Sequence, residues 1–271
     1  FEFDSYLRDP LFKMEAPKKK FDVTVPKSVA EVEEVSKLMR AKGQFSFDTE
    51  TTSLVKVEAK LVGISVAIDP EHAWYIPVGH AEGPNLNLEA VLATLKPLLE
   101  DVTIGKVGQN LKYDRQILAN YGIDLRGITF DTMVAAYLVD PANRSFSMDN
   151  LASRLLNHET IHIEELIGKG KNQITFDKVP VETAARYAGE DAVIPLMLQE
   201  VLTPELEKRH LTTLFEDIEM PLVPILADIE YHGVFLDTDI LGGLSKEYHA
   251  IVDQTSSEIF TLAGEEFNLN S

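Results

Sequence analysis

The chain has 271 residues, with 25 Lys+Arg against 44 Asp+Glu, a formal net charge of −19 and a sequence pI near 4.7. That balance argues against a protein that coats nucleic acid or a membrane with a broad basic face. Cysteine is absent, which excludes disulfides, thiolate metal sites and cysteine nucleophiles, so any metal must be held by oxygen or imidazole. No apolar run approaches the ~18 residues of a membrane helix, and no charged-then-apolar segment opens the chain, so a soluble intracellular protein is expected. The first residue is Phe rather than Met, which suggests a fragment or a processed product.

Residues 1–20 carry breaks such as Asp9-Pro10 and end on Lys18-Lys19-Lys20; without a sustained period they read as a linker or arm. Alternation over Phe21–Val25 predicts a strand. Val29, Val32, Val35, Leu38 and Met39 follow helical spacing, with Ser28 placed to cap and Gly43 to stop. Strands are expected over Gln44–Asp48, Leu61–Ile68 and Ala73–Val78, the last two forming a hairpin about Asp69-Pro70. A helix over Leu88–Leu99, a short strand over Thr103–Val107, a helix over Leu111–Tyr121 and the strand Ile128–Phe130 follow. The remainder reads helical, over Thr132–Val139, Met148–Leu156, Val181–Leu202 and Glu205–Tyr231. Pro221 and Pro224 interrupt the last of these, and after Gly233 a final helix covers Thr238–Ala263. The pattern predicts an α/β fold, a mixed sheet flanked by helices and followed by a helical C-terminal segment. A boundary is expected between about 205 and 216.

Chemistry concentrates in three places. The apolar strand Phe45-Ser46-Phe47 runs into Asp48-Thr49-Glu50, and strand alternation sends Asp48 and Glu50 to one side. Two carboxylates forced together repel unless hard cations neutralise them. Asn110 and Asp114 stand four apart on a predicted helix, as do Tyr187 and Asp191, so each pair shares a face. Singly, each has an ordinary alternative: wetted strand-end acids, a helix cap at Asn110, the polar edge of an amphipathic helix.

In this order and spacing the three motifs resemble the proofreading exonucleases of the DEDDy type. The stretches Val107-Gly108-Gln109-Asn110-Leu111-Lys112-Tyr113-Asp114, Gly168-Lys169-Gly170-Lys171-Asn172-Gln173 and Ile218-Glu219-Met220-Pro221-Leu222-Val223-Pro224 are similar to the bacterial (family A) DNA polymerase I family. The likeness runs from about residue 20 to the last residue. It implies a ribonuclease H-like (DnaQ-like) fold, with a linker or arm over 1–20, a 3′-5′ exonuclease domain over 21–210 and the helical start of a truncated polymerase region, the thumb base, over 211–271. It implies two divalent metal ions, Mg²⁺ or Mn²⁺ with Zn²⁺ possible in one site. Asp48 would bridge them, Glu50 and Asp191 would complete the tighter site, and Asp114 would hold the second through water. Tyr187, with Glu50, would orient the attacking water. Leu54 matches the family's apolar wedge against the terminal base, and Asn110 the residue near the terminal nucleotide. At the second wedge, commonly aromatic, this chain has Ile163, which cannot supply a ring's stacking face. Arg144, Lys169 and Lys171 are candidate phosphate contacts.

The substrate implied is a single-stranded or frayed DNA 3′ end, hydrolysed to nucleoside monophosphates. The partner implied is a polymerase domain, in a monomer with no membrane attachment, cytoplasmic and nucleoid-associated if bacterial. The family's palm motifs and 5′-nuclease domain are not in the sequence, so no polymerase activity is expected of this chain. Two other readings are a non-catalytic exonuclease-like scaffold of a polymerase and a stand-alone RNA-trimming nuclease. A glycosidase would use Asp48 and Glu50 but leave Asn110, Asp114, Tyr187 and Asp191 idle.

Overall fold

The structure, a computed structural model, describes residues 21–269, so the arm and lysine run expected over residues 1–20 lie outside the described residues. By its contacts the chain divides into two units, one ending at Tyr231 and one starting at His232.

The first unit is built on a six-stranded sheet. Its strands are β1 (Asp22–Thr24), β2 (Gln44–Thr51), β3 (Leu61–Asp69), β4 (His72–Pro77), β5 (Gly105–Gly108) and β6 (Ile128–Asp131). Their order is β1-β4-β3-β2-β5-β6. The β2–β3 and β3–β4 pairs are antiparallel, whereas β1–β4, β2–β5 and β5–β6 are parallel. The mixed sheet flanked by helices is the ribonuclease H-like arrangement expected, and β3–β4 is the expected hairpin.

Helices cover both faces. On one lie α1 (Val29–Lys42), α2 (Leu88–Leu99) and α3 (Leu111–Ala119), whose apolar residues join Phe45, Phe47, Ile64 and Val66 in one core. Ser28 Oγ caps α1 by accepting from Glu31 N at 3.3 Å, and Gly43 ends it with φ 74°, a left-handed conformation that favours glycine. The opposite face carries α4 (Thr132–Val139), α5 (Met148–Leu151), α6 (Ile163–Ile167) and α7 (Val181–Lys208). The small residues Ala184, Ala185, Ala188, Gly189 and Ala192 let α7 lie close on the sheet; a Cβ on Gly189 would come within 2.5 Å of Val23 Cγ2.

Several predicted elements are corrected. The helix over Met148–Leu156 is one α-helical turn, α5, followed by a π-type turn over Ala152–Leu156. The helix break expected after Leu202 falls instead after Lys208, because Pro204 is accommodated within α7. Pro204 has no N–H to give the carbonyl of Glu200, and Glu200 is exposed to water. A left-handed His210 (φ 58°) then turns the chain into α8 (Thr212–Leu214), a π-type turn over Phe215–Glu219, and α9 (Met220–His232).

The second unit is chiefly α10 (Thr238–Ala263), capped by Asp237, which accepts from Asp239 N at 3.1 Å and Ile240 N at 3.0 Å, and closed by Gly264 at φ 77°. No helix among the described residues is long and apolar enough to cross a membrane.

One buried acid ties the parallel half together. Asp131, 1% exposed, accepts from Asn110 N (3.1 Å) and Leu111 N (2.8 Å) at the start of α3, and from Met133 N (3.0 Å) and Val134 N (3.4 Å) at the start of α4. One carboxylate thus caps two helices. Asp131→Ala should cost about 2–4 kcal/mol in urea unfolding, because each lost cap costs roughly 1 kcal/mol and buried N–H groups are left without partners.

Candidate active site

The site forms where β2 leaves the sheet. Phe45 and Phe47 point into the core beneath α1, α2 and α3, so Ser46, Asp48 and Glu50 point to the α7 side. There α7 supplies Asp191. One carboxylate oxygen from each of Asp48, Glu50 and Asp191 lies within 4.8 Å of the others. The two sequence segments are some 140 residues apart, and only the packing of α7 on β2 unites them.

Asp114 approaches from α3. Its Oδ1 accepts from Thr49 N at 2.9 Å and Thr49 Oγ1 at 2.6 Å, which fixes it beside Asp48 but outside the three-acid group. Thr49, the middle residue of the Asp-x-Glu motif, therefore orients the fourth acid. That second role follows from alternation once α3 is known to pack below the strand.

The electrostatics are severe. Burial pushes Asp48 up to about 6. Glu50 is raised well above the usual carboxylate range by burial, then by Asp48, Asp191 and Asp114. Asp114 and Asp191 are raised by burial and then by Asp48. Glu50 Oε1 is buried with no hydrogen-bond partner, an uncompensated position for a carboxylate oxygen. An all-oxygen donor set with an orphaned buried oxygen fits hard divalent cations, which would supply the missing counter-charge.

Tyr187 sits one turn before Asp191 on α7, close enough for that carboxylate to act on its hydroxyl. Burial and the negative charges push its pKa upward, so it remains a proton donor. Its ring packs on Phe176, with centroids 5.9 Å apart. Behind the acids, Gly63 opposes Glu50 across β2–β3 and leaves room for the Tyr75 ring; a Cβ there would come within 2.2 Å of the Tyr75 hydroxyl. His80 Nδ1 donates to Val179 O at 2.9 Å, leaving Nε2 to accept from Tyr75 Oη at 2.6 Å.

The residues expected to meet substrate are distributed around this centre. Leu54 is 88% exposed in the loop after β2. Ile163 opens α6 and is half-buried against the cluster containing Phe176 and Tyr187. Its segment is anchored by Glu190, whose carboxylate takes His158 Nε2 at 2.7 Å and Ile161 N at 2.6 Å. Arg144, Lys169 and Lys171 are exposed, and no ion pair among the described residues holds them. Asn110 requires a correction. It is the residue before α3, left-handed at φ 57°, and its side chain does not cap the helix. Asp131 takes the two N–H groups that turn the chain there. Sequence reasoning missed Asp131, Glu190 and Gly63. The signal for the first was an Asp immediately before a helical run.

The fold and this acid cluster define a class, the ribonuclease H-like nucleases that carry a carboxylate centre for metal at the end of a central strand. A family model described as 3′-5′ exonuclease matches residues 23–207, and the chain belongs to that family, the exonuclease domain of DNA polymerase I. DNA polymerase I of Pseudomonas aeruginosa is 44% identical over 232 residues, covering 83% of this chain and 25% of the relative. That of Rhizobium leguminosarum is 40% identical over 252 residues, covering 86% and 25%. The chain thus spans about a quarter of the length of these relatives. Among solved structures, the POL domain of Pol1 from M. smegmatis, in complex with DNA primer-template and dNTP, aligns with a TM-score of 0.74 at 24% identity, covering 92% of this chain and 39% of that one. Brucella melitensis NrnC bound to pGG aligns with a TM-score of 0.59 at 18% identity, covering 80% and 95%.

Because burial raises all four acids, the folded metal-free chain binds protons more readily than the unfolded one. Each stabilising contribution is present at low pH and lost as pH rises through that acid's folded value, which for Asp48 is about 6. In EDTA, thermal melting should give a higher Tm at about pH 5 than at about pH 8, and Asp48→Asn should reduce the difference. Adding Mg²⁺ at the higher pH should raise the wild-type Tm and leave that of Asp48→Asn nearly unchanged.

Proposed function

We propose that this chain removes nucleotides from single-stranded or frayed DNA 3′ ends by hydrolysis of the terminal phosphodiester, releasing nucleoside monophosphates. The observation that carries the reading is the convergence of Asp48, Glu50 and Asp191 within 4.8 Å, with a buried Glu50 oxygen that has no partner. Two divalent ions would balance the formal charge of the four acids. Asp48 would be shared, Glu50 and Asp191 would hold one ion, and Asp114 would serve the other through water. Bound there, such ions acidify water and stabilise charge on the attacking and leaving oxygens.

The chain's own residues supply position. Tyr187 keeps its proton, so its hydroxyl would orient the water by hydrogen bonding and not act as base. Thr49 keeps Asp114 turned toward Asp48. Leu54 and the half-buried Ile163 would bracket the terminal base, and Asn110 would lie at the terminal nucleotide. Arg144, Lys169 and Lys171 would meet phosphates. Ile163 offers no aromatic face, and stacking on a base is worth ~1–3 kcal/mol, so weak capture of the end is expected. In longer relatives a polymerase portion would supply the firmer grip on DNA.

The test is digestion of a 5′-labelled oligonucleotide with Mg²⁺ or Mn²⁺. EDTA should abolish it, and Asp48→Ala should lower kcat by about 10³-fold, roughly 4 kcal/mol of barrier. Equal digestion by Asp48→Ala would sink the reading. Tyr187→Phe should lower kcat by about 10²-fold with KM little changed. An RNA oligomer of the same sequence, run beside the DNA, reads the choice of sugar.

A further inference from the structure

The loop between β2 and β3, residues 52–60, presents Leu54 (88% exposed), Val55 (53%) and Val57 (74%) beside the acids. Exposed apolar side chains clustered at the edge of a site mark a contact surface, and a contact surface must be held still to bind. Three attachments hold this loop. At its start, the Tyr113 hydroxyl of α3 meets Thr51 Oγ1 at 2.5 Å and donates to Ser53 O at 3.0 Å. At its middle, Asn120 Nδ2 donates to Lys56 O at 2.8 Å. The third attachment comes from α9. Glu230 accepts from Lys56 Nζ of the loop at 2.8 Å, and from Lys112 Nζ (2.5 Å) and Gln116 Nε2 (3.0 Å) of α3.

Glu230 is thus a node with three donors on one carboxylate, and they hold its pKa down to about 2, Lys112 first and Lys56 next. Around it, Gln116 Nε2 also donates to Ala227 O at 3.1 Å, and Arg115 reaches Asp228 at 2.8 Å. An isolated half-exposed ion pair contributes little, but several charges sharing one acceptor restrict one another. α3 carries Asp114, so the same node braces the loop and the helix of the fourth acid. Residues 220–232 lie beyond the matched family region, which ends at residue 207.

We propose that Glu230 is a positioning residue for the 3′-end contact: it clamps Lys56 to α3, so that α9 sets how firmly the Leu54 loop holds the substrate end. The proposal rests on the exonuclease reading for its kinetic consequence, and on the hydrogen bonds alone for the clamp.

The experiment uses the full chain, with two arms. In the first, hydrogen exchange of the metal-free protein follows the amides of Val55, Glu58, Ala59 and Lys60, all hydrogen-bonded within the loop. Glu230→Ala and Lys56→Ala should each speed their exchange by about 5-fold or more. In the second, each variant should raise KM for a 5′-labelled single-stranded oligonucleotide by about 3–10-fold, with kcat within about 2-fold. The double variant should be no worse than the larger single one, since the Lys56–Glu230 contact is already lost in either. In a Leu54→Ala background, Glu230→Ala should change KM by less than about 1.5-fold. Unchanged exchange in both variants would overturn the clamp. A full-size KM effect without Leu54, or a loss in kcat alone, would overturn the positioning role. If the wild type digests no oligonucleotide, the exonuclease reading fails, and the exchange arm still decides the clamp.

Discussion

The structure depends on holding four carboxylates together against their mutual repulsion. Asp48, Glu50, Asp114 and Asp191 come from β2, α3 and α7, and every one is held above its ordinary pKa by burial. No basic side chain among the described residues forms an ion pair with any of them. Such a site destabilises the metal-free fold, and its stability must come from elsewhere. It comes from two cores on opposite faces of the sheet, and from α7, whose residues from Ala184 to Leu198 are almost all buried. A rigid frame is what turns repulsion into cation affinity. Acids on mobile loops would separate, whereas here they can only protonate or bind metal.

The arrangement of supports follows from that constraint. Thr49 turns Asp114 inward with two donors, and Asp131 fixes the start of the helix that carries it. Gly63 lets Tyr75 fill the space behind Glu50, and the Tyr75–His80–Val179 chain of hydrogen bonds links that strand to the segment before α7. Glu190, next to Asp191, holds the segment leading to Ile163. Each acid that repels its neighbours thus has an adjacent group that fixes its element by hydrogen bonds or close packing.

How much of this the sequence revealed follows the range of the physics. Period-2 alternation put Asp48 and Glu50 on one side, and 3.6-residue spacing put Tyr187 beside Asp191, because both rules act within one element. The Ser28 cap, the Gly43 stop and the β3–β4 hairpin were legible for the same reason. Asn110 was not: its left-handed turn is imposed by Asp131, 21 residues later, and no local rule carries that information. The break expected after Leu202 failed for a related reason, since whether a helix continues through a proline such as Pro204 depends on whether the freed carbonyl reaches water. Glu230 lay within a predicted helix and carried no motif. Its three donors come from two other segments and meet only in the folded chain.

The net charge of −19 takes on a narrower meaning in this light. A strongly acidic chain repels a polyanion at long range, and ordinary salt screens that repulsion over roughly 8–10 Å. Within that distance the local arrangement governs. The centre itself presents clustered carboxylates, which repel a phosphate unless cations reverse the local sign. The exposed apolar side chains of the loop after Glu50 would offer a terminal nucleotide, on the proposed function, a contact that charge does not oppose. An acidic protein with this architecture would therefore be selective for conditions as well as for ends. On the exonuclease reading it would reject phosphate without divalent ions, and with them it would admit a short stretch of strand whose retention depends on how firmly that loop is held.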